Sequence, residues 1–191
     1  MNLINKALET AFECHKNQKR KADNAPYIIH ILDVVRLLMS EPSASENVIV
    51  AGILHDTLED TTYTAEQLKD DFGSDILELV LFATEKEKDN TTSKEQKRLT
   101  WKLRKQHTID LCQAATEDQL LITLADKLSN LKSIHDDMVI IGDKIWSYFN
   151  APKADIYWYY YELGIIFNKR KSDSRLVKLY NLVLKDVFPD R

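Results

Sequence analysis

Glycine and proline are scarce, with four of each in 191 residues. That is too few for the tight turns of an all-β or loop-rich fold. No segment sustains the every-second-residue alternation of a half-buried strand, and none repeats at a fixed period. No apolar run approaches the roughly 18 residues of a membrane span, and no basic-then-apolar leader opens the chain. Only two cysteines occur, Cys14 and Cys112. Both sit among apolar neighbours on helical patterns and read as small buried hydrophobes, not as a disulfide. Basic residues are not in excess, and the formal charge of −4 excludes a dedicated nucleic-acid binder, whose footprint is net basic. It leaves room for a local basic pocket that takes a phosphorylated small molecule. These absences predict a cytoplasmic, helical protein with neither a membrane nor a nucleic acid as partner.

What is present is a chain with 44% hydrophobic and 29% charged residues, enough for one substantial core. A single all-α domain over residues 1–191 is the expectation. Helical patterns cover residues 2–19, 27–39 and 46–60. Thr64-x-x-Gln67 reads as a capping box and Gly73 as a helix end, with Ser74 capping a further helix to residue 83. Residues 84–92 are polar and unperiodic, as in an exposed loop. Ser93-x-x-Gln96 opens a basic helix, with Lys94, Lys97, Arg98, Lys102, Arg104 and Lys105, that reads as a solvated face or, through Arg98, Trp101 and Arg104, as a face toward a polyphosphate. Thr116-x-x-Gln119 opens the helix containing Asp126. The aromatic run 157–161 reads as core or homodimer packing, and a last amphipathic helix spans residues 175–187. His15, His107 and His135 read as structural or surface residues, and Lys127 as a partner for a carboxylate or a phosphate.

The chemistry concentrates in Ala51-Gly-Ile-Leu-His-Asp-Thr-Leu-Glu-Asp-Thr61. An apolar helix here delivers His55, Asp56, Glu59 and Asp60 within six residues. Helical spacing sets His55 above Glu59 and Asp56 above Asp60. Carboxylates and imidazole at the end of a buried helix require a positive charge, and a divalent cation is the simplest candidate. His30 and Asp126 are the other polar intrusions on apolar faces. Imidazole with carboxylate suits Mn²⁺, Fe²⁺ or Zn²⁺. Adjacent residues on one helix diverge by about 100°, so His55 and Asp56 reach one ion only where it lies in a groove walled by other helices.

The order His30…His55-Asp56…Asp126 resembles the HD superfamily of metal-dependent phosphohydrolases. Gln18-Lys-Arg-Lys21, Pro26-Tyr27-x-x-His30, Leu54-His-Asp-Thr-Leu-Glu-Asp-Thr61, Phe72-Gly73 and Leu124-Ala-Asp-Lys-Leu-x-Asn130 further resemble the hydrolase domain of RelA/SpoT-type enzymes and the stand-alone small alarmone hydrolases. The resemblance covers residues 1–135, with residues 136–191 completing the helical bundle. It departs from the family at Ile31, where a proline is usual, and over residues 84–117. It implies an HD-domain helical bundle with a metal site between helices. His30, His55, Asp56 and Asp126 are its implied ligands for one Mn²⁺ or another transition metal. It implies further that Glu59 and Asp60 orient and activate the attacking water, and that Arg20, Lys21 and Asn130 bind a nucleotide. The implied reaction is removal of the 3′-pyrophosphate of ppGpp or pppGpp. Alternatives within the same frame are a phosphatase for another nucleotide or a phosphorylated dinucleotide, and a non-catalytic alarmone-binding module.

Overall fold

The computed structural model describes residues 2–20, 22–85 and 94–190, and the side chains of all of these except 94–99. Among them the fold is all-α. In order, the helices are α1 (Leu3–His15), α2 (Ile28–Met39), α3 (Glu46–Leu54), α4 (Thr57–Asp60), α5 (Ala65–Phe72), α6 (Ser74–Ala83), α7 (Lys94–Ala114) and α8 (Glu117–Ile141). A 3₁₀ segment (Gly142–Tyr148), α9 (Lys153–Lys171) and α10 (Arg175–Val187) follow. No strand occurs among the described residues beyond an isolated bridge, Lys19 with Pro26. No helix among them is long and apolar enough to cross a membrane. Expected features at Lys21, in residues 86–92, and in the Ser93–Gln96 box with Lys94, Lys97 and Arg98 lie outside the described residues or side chains.

Two compact units divide the chain. Unit 1 is Met1–Thr84 with Thr116–Ser129, and unit 2 is Glu85–Ala115 with Asn130–Arg191. In unit 1, α3 is the central element. Val48, Val50, Ala51, Ile53 and Leu54 are all fully buried, and α1, α2 and α6 lie against this helix. A helix apolar all round belongs inside, and that is where α3 sits. Ile31, the departure from the family's usual proline, is fully buried beside it on α2 with Val34 and Leu38. In unit 2, α9 lies against α7 and α10. Tyr159, Tyr160, Leu163 and Phe167 are buried, and the Tyr180 hydroxyl donates to the Tyr160 carbonyl at 2.7 Å. The aromatic run is therefore core in part, while Tyr161 is exposed.

Close packing of α2 on α3 depends on Gly52. A Cβ there meets Leu38 Cδ1 at 2.2 Å and Val34 Cγ1 at 3.6 Å. Gly52→Ala is expected to destabilise the fold by about 1–3 kcal/mol through overpacking, lowering the thermal midpoint by several degrees. An unchanged melt shows that Leu38 moves aside without cost.

Local signals explain several helix ends. Thr64 and Gln67 form the reciprocal capping box, and Thr116 and Gln119 make the same pair of bonds at 3.3 and 2.9 Å. Gly73 takes φ 88° at the end of α5. It is also the N-cap of α6, where Ser74, expected as the cap, is instead the first helical residue. The first helix stops at His15, short of residue 19, because the chain turns back. Arg20 N donates to Ala25 O at 2.8 Å and Tyr27 N to Gln18 O at 2.9 Å. Asn24 takes φ 60° at the tip, a conformation its short polar side chain tolerates.

The larger difference is in the helix expected over residues 46–60. It is interrupted at His55-Asp56, between α3 and α4. His55 Nδ1 lies 2.8 Å from the Gly52 carbonyl, and the Thr57 hydroxyl donates to the Leu54 carbonyl at 2.7 Å. Side chains that bond to carbonyls of their own helix disturb its regular ladder.

Candidate metal centre

At the interruption the two halves of the His-Asp pair lie close together. His55 Nε2 is 2.9 Å from Asp56 Oδ2. From α2, His30 Nε2 comes within 3.3 Å of His55 Nε2 and 3.8 Å of Asp56 Oδ2. His30, His55 and Asp56 are the group whose candidate ligand atoms all lie within 4.8 Å of one another among the described residues. Asp126, on α8, falls outside that threesome. Its Oδ1 is nonetheless 3.3 Å from His30 Nε2 and 3.8 Å from His55 Nε2. We take it as part of the cluster, because both imidazole nitrogens face it at distances that ligands of one ion share. The side chains are largely shielded, His30 being 2% exposed, His55 1% and Asp126 9%.

Each member is held from behind. The Gly52 carbonyl accepts from His55 Nδ1–H, which leaves the Nε2 lone pair facing the cluster. His30 Nδ1 is 3.0 Å from Ser129 Oγ. The Tyr27 hydroxyl donates to Asp56 Oδ2, and Lys127 Nζ donates to Asp126 Oδ2 at 2.5 Å. Tyr27 and Ser129 each sit three residues from a candidate ligand, His30 and Asp126, the spacing that puts them on the same helix face. That spacing is visible in the sequence, and Lys127 is the partner of a carboxylate.

The charges are as crowded as the atoms. Burial alone would depress the His55 imidazole, but the carboxylates of Asp56 and Asp126 outweigh it and push its pKa up to about 9. Burial raises the carboxyls of Asp56 and Asp126, yet the net direction for both is downward. His55 and His30 hold Asp56 ionised, and Lys127 with the two imidazoles holds Asp126 ionised. Burial, followed by the charge of Asp56, drives the Tyr27 phenol far up, so it stays a donor. Two carboxylates, Asp126 buried and Asp56 half-buried, thus demand positive charge at the point where two imidazole nitrogens meet.

A protein-family model described as HD domain matches residues 7–149. The chain belongs to the HD domain family. Among curated relatives of this HD domain chain, a guanosine-3′,5′-bis(diphosphate) 3′-pyrophosphohydrolase, MESH1, of Xenopus tropicalis is 37% identical over 134 residues, 69% of either chain. A guanosine-3′,5′-bis(diphosphate) 3′-pyrophosphohydrolase of Aquifex aeolicus (strain VF5) is 38% identical over 133 residues, 69% of this chain but 18% of that protein's length. A solved structure described as a metazoan ortholog of SpoT that hydrolyzes ppGpp and plays a role in starvation responses shares the fold. Its TM-score is 0.69 at 24% identity, covering 99% of this chain and 95% of that one.

The donor set of this HD domain suits a divalent cation. Ligands at about 2.0–2.2 Å from one tetrahedral or octahedral ion lie about 2.8–3.6 Å from their neighbours. His30 and His55 stand 2.9–3.8 Å from each other and from the two carboxylates, while Asp126 lies outside the threesome of His30, His55 and Asp56. Two imidazole lone pairs 3.3 Å apart repel unless a proton or a cation lies between them. Metal-free, His55 keeps its proton up to about pH 9, and a metal ion must expel it. Below that pH, cation affinity should therefore rise with pH, levelling off above it, and uptake at pH 7 should release about one proton per ion. Calorimetry in two buffers of different ionisation enthalpy reads this directly; no buffer dependence contradicts it. Ser129→Ala, which removes the partner of His30 Nδ1, should weaken metal binding about 10–100-fold in a chelator competition. Unchanged affinity removes Ser129 from that role.

The remaining candidates lie as follows. Glu59 is half-buried and Asp60 exposed, both on the single turn of α4. Gln18 Nε2 donates to Asp60 Oδ2 at 2.9 Å. Arg20 is half-buried on the turn between α1 and α2, and Asn130 is half-buried in α8, four residues after Asp126. A cavity of about 610 Å³, lined by Lys16, Gln18, Asp60, Thr61 and Tyr63 among others, opens beside Asp60. Its wall includes none of His30, His55, Asp56 or Asp126.

Proposed function

We propose that this protein is a divalent-metal-dependent phosphohydrolase that removes the 3′-pyrophosphate of ppGpp or pppGpp, leaving GDP or GTP and pyrophosphate. The convergence of His30, His55, Asp56 and Asp126 on one point, close in the chain to the acidic pair Glu59-Asp60, carries this reading. The likeness to the Xenopus tropicalis pyrophosphohydrolase over 69% of each chain supports the substrate.

His30, His55, Asp56 and Asp126 are the residues that would hold the cation, with Mn²⁺ the proposed ion. When bound, it supplies Lewis-acid stabilisation of charge on the phosphoryl oxygens and lowers the pKa of water. A polyphosphate approaching four carboxylates needs that charge, since like charges at close range repel strongly. Glu59 and Asp60 orient the attacking water and take its proton. The water oxygen bonds to the phosphorus on O3′, the bond from that phosphorus to O3′ breaks, and O3′ leaves and gains a proton. Arg20, Lys21 and Asn130 are proposed to hold the nucleotide, the two cations against base and phosphate and Asn130 at the ribose.

A nucleotide panel assayed with added Mn²⁺ tests the assignment. The expected result is turnover of ppGpp and pppGpp with pyrophosphate as the released product. Release of orthophosphate from another nucleotide, with no pyrophosphate from ppGpp, overturns it.

A further inference from the structure

His15 ends α1 with its side chain 2% exposed. Its Nδ1 lies 2.6 Å from Gln18 Oε1, and Gln18 Nε2 donates to Asp60 Oδ2 at 2.9 Å. A carboxylate only accepts, so the Gln18 amide must turn its NH₂ to Asp60 and its oxygen to His15. The ring is then the tautomer with hydrogen on Nδ1. The other nitrogen, Nε2, is buried without a hydrogen-bond partner among the described residues. Burying an unsatisfied nitrogen is unfavourable, and a phenylalanine at this place would avoid it. An imidazole that serves only as filler is hard to justify on those grounds.

The same ring lies against Tyr27, centroids 5.1 Å apart and tilted by 32°, and the Tyr27 hydroxyl donates to Asp56. One buried side chain therefore bears on two carboxylates. It reaches Asp60 through hydrogen bonds and Asp56 through packing. Asp60 is the exposed last residue of a four-residue helix, where a carboxylate keeps much rotamer freedom unless something holds it.

We propose that His15 is a positioning residue: its Nδ1–H fixes the Gln18 amide, and Gln18 fixes the Asp60 carboxylate in the direction that hydrolysis uses. This rests on the reading of Asp60 as a catalytic acid. Neither His15 nor Gln18 touches the substrate in this account.

The test compares the full chain with His15→Phe, His15→Asn, Gln18→Leu and the double variant His15→Phe/Gln18→Leu. Three quantities are read: ppGpp hydrolysis with Mn²⁺, bound metal, and the Gln18 side-chain amide NMR signals with Zn²⁺ as a diamagnetic occupant. His15→Phe keeps the ring on Tyr27 but loses the donor. It should lower kcat about 10–100-fold, with KM and metal content unchanged and the Gln18 amide signals moved toward those of a free side chain. His15→Asn, whose amide nitrogen replaces Nδ1–H, should recover most of the rate and the wild-type amide signals. The double variant should be no slower than the slower single, because both break one chain of contacts. A wild-type kcat in His15→Phe, multiplying losses in the double variant, or a His15→Asn as slow as His15→Phe each overturns the proposal. If His15→Phe does not fold, Gln18→Leu against His15→Asn decides it. Inactive wild-type protein, or a fully active Asp60→Asn, counts against the functional reading instead. The amide signals then still decide the relay, and their indifference to His15→Phe overturns it.

Discussion

Asp126→Ala is expected to lose bound cation and ppGpp hydrolysis together, with kcat/KM falling about 10³-fold or more, which is roughly 4 kcal/mol of transition-state stabilisation. The size follows from what the carboxylate does in the cluster. Its Oδ1 lies 3.3 Å from His30 Nε2, while its Oδ2 accepts from the Lys127 ammonium at 2.5 Å. Removing it deletes one of the proposed ligand atoms and leaves the ammonium beside the site without that carboxylate, so an incoming cation meets a positive charge where it had met a negative one. Asp126→Asn keeps the shape and loses the charge, and should be intermediate in metal affinity. A thermal melt of each variant separates loss of the site from loss of the fold. Metal content and turnover are the paired readouts, and a folded Asp126→Ala that keeps both removes Asp126 from the centre.

Glu59→Gln should behave in the opposite way with respect to metal. Glu59 lies four residues after His55, half-buried on α4, and is not among the groups that converge on the two imidazoles. The variant should keep its cation and lose about 10²–10⁴-fold in kcat, the range for removal of a general base. The isosteric amide keeps the side chain's volume and much of its hydrogen bonding, so the loss reports the proton-accepting function. Full activity in Glu59→Gln takes Glu59 out of the mechanism and leaves Asp60 as the acid to examine.

Much of this was legible in the amino-acid sequence, for reasons that can be named. Thr64-x-x-Gln67 and Thr116-x-x-Gln119 are local devices, complete within four residues, and both form as expected. The four polar intrusions His30, His55, Asp56 and Asp126 stood out because each lies on an otherwise apolar face, and they meet in the fold. The interruption at His55-Asp56 was not legible. Periodicity runs straight through it, and the cause is a competition between side chains and backbone for the Gly52 and Leu54 carbonyls. The break lies at the two adjacent residues that aim at the cluster, which His30 on α2 and Asp126 on α8 complete from other helices. Gln18 and Tyr27 were visible within the family motifs but carried no role, since their partners Asp60 and Asp56 lie 42 and 29 residues away. Pairings at that range need the fold.

The most direct measurement is a titration of the metal-stripped protein with Mn²⁺, following bound metal and pyrophosphate release from ppGpp in the same samples. One ion should bind per chain, and pyrophosphate release should rise in proportion to it from a negligible starting rate. Hydrolysis that persists undiminished without metal, or full occupancy with no pyrophosphate formed, contradicts the account.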